Sequence, residues 1–170
     1  ELQKTMRRRF EEAYIAVGNE FRHYFTRLFG GGTARLVLTP AEDLEQTGIE
    51  IVAQPPGRRL QNLALLSGGE RALTAVALLF AVLAVRPIPF CVLDEADAAL
   101  DEANVGRFGE ALRDLAERTQ FIVITHSRGT MQVANSLYGI SMPADSISQL
   151  VSLRLAGNAT GEELPYVRSA

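Results

Sequence analysis

Two runs of apolar residues, at positions 90–93 and 121–124, constrain the fold of this chain more than any other feature. Each run is continuously apolar, Phe-Cys-Val-Leu in the first and Phe-Ile-Val-Ile in the second. This pattern is typical of strands that are buried on both faces of a sheet. A helical pattern over about residues 102–118 separates the two runs. The order strand, helix, strand predicts an α/β layer with a parallel sheet.

The first 30 residues predict a long helix with one apolar seam. Apolar side chains recur there at alternating steps of four and three residues, which is the spacing of a coiled coil. We interpret residues 1–30 as the end of a longer coiled coil, and the alternative is an ordinary amphipathic surface helix. The seam residues are Phe10, Tyr14, Val17, Phe21, Tyr24 and Leu28.

Residues 31–156 are predicted to form a folded lobe, and residues 157–170 a disordered tail rich in Gly, Asn and Glu. Within the lobe, a polar turn between two strand-like stretches predicts a β-hairpin. A long apolar helix follows, and prolines end it. The remaining predicted elements are hairpin strands at 34–38 and 49–53, the apolar helix at about 70–85, and short edge strands at 137–141 and 150–155.

Charge and composition exclude several kinds of site. The net charge of −3 provides no overall positive charge for binding nucleic acid. One cysteine and two histidines cannot build an internal disulfide or a structural zinc cluster. The apolar stretch at 72–85 is too short to span a bilayer, and no signal peptide is visible. We therefore expect an intracellular protein with no membrane partner.

The first chemical motif, Ser67-Gly68-Gly69-Glu70, comes directly before the apolar helix. Ser67 and Glu70 fit a capping box, which is a purely structural explanation for those two residues. It does not explain the glycines, each of which costs the helix about 1 kcal/mol relative to alanine. Glycines let a large group approach the backbone, and a helix N-terminus with free amides suits a phosphate. The motif therefore predicts phosphate binding.

The second and third motifs follow the two apolar runs. Asp94 and Glu95 end the first run, and their side chains should point in opposite directions. Asp94 would hold Mg²⁺, and Glu95 would orient or deprotonate a water molecule; the alternative is a solvent-facing acidic turn. His126 follows the second run, at the sheet edge where α/β proteins bind ligands, and could donate a hydrogen bond to a phosphate oxygen.

A phosphate-binding loop is missing from the sequence. Such a loop has the pattern Gly-x-x-x-x-Gly-Lys-Ser/Thr. The only lysine is Lys4, and residues 1–3 cannot supply the glycines. The chain therefore has the back half of a nucleotide site and lacks the front half.

With these motifs in this order, the sequence resembles the ATP-binding-cassette class of ATPases. Within that class it resembles the SMC (structural maintenance of chromosomes) family, and the bacterial-type condensin SMC looks most similar. The resemblance covers roughly residues 10–155, and Ala96 stands where SMC chains commonly have valine. The matching stretches are 28–32 (LFGGG), 65–75 (LLSGGERALTA), 89–101 (PFCVLDEADAALD), 121–131 (FIVITHSRGTM) and 137–142 (LYGISM).

The resemblance implies the C-terminal lobe of an ABC-type ATPase head, with a mostly parallel sheet flanked by helices and an N-terminal coiled-coil helix. The P-loop would lie in the N-terminal half of the same head, so this chain alone would be inactive. Asp94 would serve Mg²⁺, Glu95 the attacking water, Asp101 a loop between sites, and His126 the switch histidine. The signature motif, which contacts ATP bound to the opposite head, would be Ser67, Gly68, Gly69 and Glu70.

The resemblance also implies partners and a cellular role. Two heads would sandwich two ATP molecules in an ATP-dependent homodimer. Hydrolysis would drive chromosome condensation and segregation on DNA. A kleisin subunit with an associated winged-helix protein would dock on the lobe, in the cytoplasm and near the nucleoid. The competing interpretations are a zinc-hook or RecN-type DNA-repair ATPase, the nucleotide-binding subunit of a membrane transporter, and a non-catalytic scaffold.

Overall fold

The computed structural model describes residues 1–39, 48–141 and 149–154, and the predicted disordered tail lies outside these residues. The described α-helices are α1 (Leu2–Phe29), α2 (Gly68–Val85), α3 (Glu102–Leu115) and α4 (Arg128–Met131), and a short 3-10 helix spans Leu63–Leu65. The described strands are β1 (Thr33–Leu38), β2 (Ile49–Gln54), β3 (Gln61–Asn62), β4 (Phe90–Asp94), β5 (Gln120–Ile124), β6 (Ser136–Ser141) and β7 (Gln149–Arg154).

Strand pairing confirms the α/β layer and the hairpin. β4 and β5 pair in parallel, with Val92 beside Ile122 and Asp94 beside Ile124. β1 pairs antiparallel with β2, which in turn pairs with the short strand β3. β6 and β7 pair antiparallel with each other. Among the described residues, parallel pairing is therefore confined to β4 and β5, the two strands that lead into the second and third motifs.

The core lies where the second half of α1 packs against α2 and α3. Phe21 and Phe25 on α1 are fully buried, as are Phe80 on α2 and Phe108 on α3. The Phe80 ring stacks on Phe108 with a centroid separation of 5.6 Å. The C-terminal half of α1 is thus part of the lobe core, and the coiled-coil interpretation of the segment stays a prediction.

Helix α2 begins at Gly68, two residues earlier than the sequence pattern indicates, and is 18 residues long. By length and composition alone it could cross a membrane, so the expectation that its apolar stretch is too short was wrong. In the structure α2 is a core helix, with Leu73, Ala77 and Phe80 among its buried residues. Burial in a lobe core accounts for its apolar composition without a bilayer.

Within the described residues β4 and β5 are covered on one face, whereas the sequence pattern predicts burial on both. Phe90 and Val92 on β4 are 58% and 52% exposed, and Ile122 and Ile124 on β5 are 49% and 51% exposed. The alternate residues face the core, and Leu93 is buried. One face of the parallel pair is therefore an apolar surface that no described part of the chain covers. This surface is called the open sheet face below.

Candidate functional site

The parallel pairing of β4 with β5 brings the second and third motifs together. Residues after neighbouring parallel strands lie at the same sheet edge, and here Oε1 of Glu95 lies 3.3 Å from Nε2 of His126. Both side chains are open to solvent, at 55% and 90% exposed. A cavity of about 310 Å³ lies beside them, and Asp97 and Ser127 also line it. The structure therefore brings the second and third motifs to one edge of the sheet, and the catalytic roles of Glu95 and His126 stay predictions.

Glu95 has an unusual backbone conformation. Its φ of 47° lies in the left-handed region, and it is the one non-glycine residue there among the described residues. For a residue other than glycine, this backbone conformation costs about 1–3 kcal/mol. The amide of Glu95 donates to the carbonyl oxygen of Ile124 at 2.9 Å. The end of β5 therefore helps to hold Glu95 in the conformation that aims its carboxylate toward His126.

The side chain of Asp94, the last residue of β4, lies on the face of the sheet that does not pack against the core. It is exposed and, by strand alternation, shares the open sheet face with Val92 and Ile124. Among the described residues, no three Asp, Glu, His or Cys side chains gather as a metal-binding group. Mg²⁺ is usually held by one or two carboxylates together with phosphate oxygens and water. A single exposed carboxylate at this edge fits that kind of site.

The capping box at the start of α2 is confirmed. The Ser67 amide donates to Oε2 of Glu70 at 2.8 Å, and Oγ of Ser67 accepts from the Glu70 amide at 3.3 Å. The Ser67 hydroxyl can accept and donate at the same time, and its bond to the Glu70 carboxylate also lowers the pKa of that carboxyl. Arg58 adds an ion pair to Glu70 at 3.5 Å. These bonds hold the helix N-terminus in one conformation.

The two glycines of the first motif differ in their surroundings. A Cβ atom added at Gly68 would meet nothing within 4 Å. A Cβ atom at Gly69 would lie 2.9 Å from the carbonyl oxygen of Ala99. The close approach of the chain's own loop after β4 is therefore one reason for glycine at position 69, and the expectation that both glycines admit a ligand stays a prediction. Gly68 remains open for an external group.

Asp101 caps helix α3. Its backbone is extended, with φ −74° and ψ 166°, and its carboxylate accepts from the Asn104 amide at 2.8 Å. The loop that ends at Asp101 also contains Ala99, which touches Gly69. This loop therefore runs from the Glu95 carboxylate to the N-terminus of α2. A role for Asp101 between two sites stays a prediction.

Asp97 is the residue that the sequence analysis missed. It is only 4% exposed, and its Oδ2 atom accepts hydrogen bonds from the hydroxyls of Thr125 and Thr130. The partners lie 28 and 33 residues away along the chain. No local pattern indicates such pairing, because only the packing of β4 beside β5 brings these groups together.

The pH dependence of folding stability tests whether the Glu70 carboxylate of the capping box stabilises the helix. The Ser67 amide, which donates to the Glu70 carboxylate, lowers the pKa of that carboxyl below its ordinary value of 4.5. A lowered pKa stabilises the fold above the unfolded-state value, and this stabilisation is lost as the pH falls through the folded-state pKa. Glu70→Gln keeps an oxygen that can accept from Ser67 but removes the charge. We expect it to lower the free energy of unfolding at pH 7 by about 0.5 kcal/mol.

That difference should shrink toward zero as the pH falls below 4.5, and urea unfolding at several pH values would measure it. Glu117→Gln, an exposed change in the turn after α3, serves as the control and should show no such pH dependence. A difference between wild type and Glu70→Gln that stays constant down to pH 3 would mean that the charge at this position does not stabilise the helix.

Comparison with known proteins places this arrangement in a family. Residues 4–149 match the family model described as the RecF/RecN/SMC N-terminal domain. The chromosome partition protein Smc of Bacillus subtilis is 55% identical over 155 residues, which cover 91% of this chain and 13% of that protein. The Smc relative of Myxococcus xanthus is 48% identical over 165 residues, 96% of this chain and 14% of that protein. The chain thus spans about one seventh of these relatives.

Solved structures agree with the sequence match. The Smc head domain of Pyrococcus furiosus, with an extended coiled coil and bound to the C-terminal domain of ScpA, superposes with a TM-score of 0.84 at 39% identity. That match covers 89% of this chain and 38% of the other. The fold and the sequence thus lead to the same conclusion. This chain belongs to the RecF/RecN/SMC family, and its fold is that of part of an SMC head domain.

Proposed function

We propose that this chain is the C-terminal half of an SMC ATPase head. Together with the N-terminal half, which brings the P-loop, it binds and hydrolyses ATP in an engaged dimer of heads. The single observation that carries the proposal is the open sheet face, an apolar surface with Asp94 at its edge. A solved structure from work on ATP-driven dimerisation and DNA-stimulated activation of SMC ATPases supports the proposal. It matches this chain with a TM-score of 0.75 at 39% identity.

The open sheet face indicates what the missing half must do. Parallel strands are almost always covered on both faces, and the continuous apolar sequence of β4 and β5 has the composition of covered strands. The N-terminal half of the head would supply that second layer. Because Asp94 lies on this face, the half that covers the face would also place its P-loop phosphates next to the Asp94 carboxylate.

The residues at the end of β4 would carry the chemistry. Asp94 would hold Mg²⁺, which would supply positive charge to neutralise the phosphates. Glu95 would orient the attacking water and accept its proton. His126 lies 3.3 Å from Glu95 and would donate a hydrogen bond to the γ-phosphate. The left-handed backbone of Glu95 supports a catalytic role, since such strain concentrates at functional sites.

The N-terminus of α2 would serve the other site of the dimer. Ser67 presents a hydroxyl group, Gly68 has open space around its Cα, and first-turn amides have no partner within a helix. These groups suit the γ-phosphate of ATP held by the opposite head. Glu70 would keep the motif in shape through the capping box.

The wider role follows from the family. We propose that the assembled protein acts in chromosome condensation and segregation on DNA, in the cytoplasm and near the nucleoid. Its head would bind a kleisin subunit, as the Pyrococcus furiosus head binds ScpA, together with an associated winged-helix protein. A RecN-type repair ATPase is the other candidate within the family model, and the curated relatives named Smc favour the SMC role.

Co-expression with the N-terminal half of the head tests the composite site. The isolated chain should neither bind ATP tightly nor turn it over, and the two halves together should do both. Val92→Asp should prevent the halves from co-purifying, because a buried carboxylate without a partner costs about 3–5 kcal/mol, or more than about hundredfold in affinity. Binding of the halves and ATP turnover would be measured side by side.

Ile15→Asp is the matched control, since Ile15 is 61% exposed and lies on α1 rather than on β4 or β5. It should co-purify with the N-terminal half like the wild type. Turnover by the pure isolated chain would rule out the composite site. Undisturbed co-purification of Val92→Asp would rule out the open sheet face as the contact between the halves.

A further inference from the structure

Asp97 is a buried carboxylate to which the proposed mechanism gives no task. Carboxylates are rarely buried unless they are paired, and Asp97 is 4% exposed without an ion pair among the described residues. Its two side-chain partners are both hydroxyl groups, those of Thr125 and Thr130. Since removing such a buried group from water is costly, the arrangement calls for an explanation.

The hydrogen bonds of Asp97 surround His126. Thr125 directly precedes His126, and its Oγ1 atom donates to Oδ2 of Asp97 at 2.6 Å. The same Oγ1 atom accepts from the amide of Ser127, directly after His126, at 2.9 Å. Thr130, on α4, donates to the same carboxylate oxygen. The main chain on both sides of His126 is thus tied to one buried oxygen atom.

Asp97 is also tied to the turn that carries Glu95. The Ala98 amide donates to the Glu95 carbonyl oxygen at 3.0 Å, and the Leu100 amide donates to the Asp97 carbonyl oxygen at 3.0 Å. The side chain of His126, by contrast, is 90% exposed, and its one ion-pair contact in the described structure is with Glu95. The position of His126 therefore depends on its backbone, and that backbone depends on Asp97.

We propose that Asp97 is a positioning residue that holds His126 at the distance from Glu95, and from the γ-phosphate, at which the histidine acts. It works through the hydroxyls of Thr125 and Thr130 and touches no reacting atom. This inference rests on the proposed ATPase function. It assigns a task to a carboxylate three residues after the magnesium residue Asp94.

Thr130→Val in the head assembled from both halves tests the proposal. The change keeps the shape of the side chain and removes one hydroxyl donor. We expect kcat for ATP hydrolysis to fall about tenfold, because small misplacements of catalytic groups are costly, with KM for ATP and ATP-dependent dimerisation unchanged. Thr130→Ser should restore kcat. Thr119→Val, the same change at a buried threonine outside the site, should leave kcat unchanged.

Two further readouts separate positioning from general damage to the fold. In nucleotide-free heads, amide hydrogen exchange over residues 125–131 should rise in Thr130→Val and not in Thr119→Val. In a His126→Ala background, Thr130→Val should lower kcat no further, because the two changes then act through the same group.

Each outcome of these experiments decides one question. If the unaltered head hydrolyses ATP, an unchanged kcat and unchanged amide hydrogen exchange in Thr130→Val overturn the inference about Asp97. If the losses of kcat in Thr130→Val and His126→Ala are fully additive, the inference is also overturned, because Thr130→Val would then not act through the histidine. Absence of hydrolysis by the unaltered head overturns the proposed function instead. Thermal unfolding of Thr130→Val beside Thr119→Val confirms that both variants are folded.

Discussion

Replacing Glu95 with glutamine should lower ATP hydrolysis by the assembled head about 10²–10⁴-fold while leaving ATP binding intact. The amide of glutamine can still accept a hydrogen bond from the attacking water but cannot take its proton. Because ATP stays bound and is not cleaved, engaged head dimers should accumulate. Turnover measurements and gel filtration with ATP would record both effects on the same sample.

In this structure, Glu95→Gln changes the charge of the side chain and keeps its shape. Glutamine has the shape of glutamate and meets the same left-handed backbone, so the strain at φ 47° stays the same in the variant. The remaining change is the charge next to His126. Glu117→Gln, an exposed change after α3, controls for the loss of one carboxylate. Hydrolysis by Glu95→Gln at the unaltered rate would mean that the base is another residue.

Ser67→Arg should abolish head engagement while the ATP site formed with the P-loop half stays filled. The long side chain would occupy the open space beside Gly68, into which we propose the opposite head's phosphate enters. Turnover should fall by about 10²-fold or more, since the donors that stabilise phosphate charge would be lost. Gel filtration with ATP and a nucleotide-binding assay would separate engagement from binding.

Arginine at this position also removes the helix cap, so a second variant is required. Ser67→Asp keeps an N-cap oxygen of good capping ability but replaces the hydroxyl donor with a negative charge that repels phosphate. It should fold like the wild type and fail to form dimers. Ser67→Thr keeps both the cap and the hydroxyl, and should engage. Dimer formation by Ser67→Asp at the wild-type level would show that the motif is a cap and nothing more.

Much of this site was predictable because its signals are local. The capping box depends on residues three positions apart, so Ser67 and Glu70 predict it from the sequence alone. The apolar runs before Glu95 and His126 predict strands, and parallel strands bring their ends together, as the 3.3 Å contact between the two side chains bears out. Local pattern and short-range geometry were sufficient in each case.

What the sequence did not reveal depended on distant parts of the chain. The sequence pattern does not tell why Gly69 lacks a side chain, because its neighbour, the carbonyl oxygen of Ala99, is 30 residues away. The pairing of Asp97 with Thr130 is equally remote. The continuous apolar composition of β4 correctly indicates a strand but does not reveal which layer covers each face.

The sequence by itself determined the type of elements, their order, the family and the candidate residues, since hydrophobic periodicity and motif spacing are properties of the chain alone. The tertiary structure decided which groups meet. It set the strained backbone of Glu95, the ties from Asp97 to the residues around His126, and the open sheet face beside Asp94. These features result from the packing of segments far apart in sequence, which no local pattern encodes.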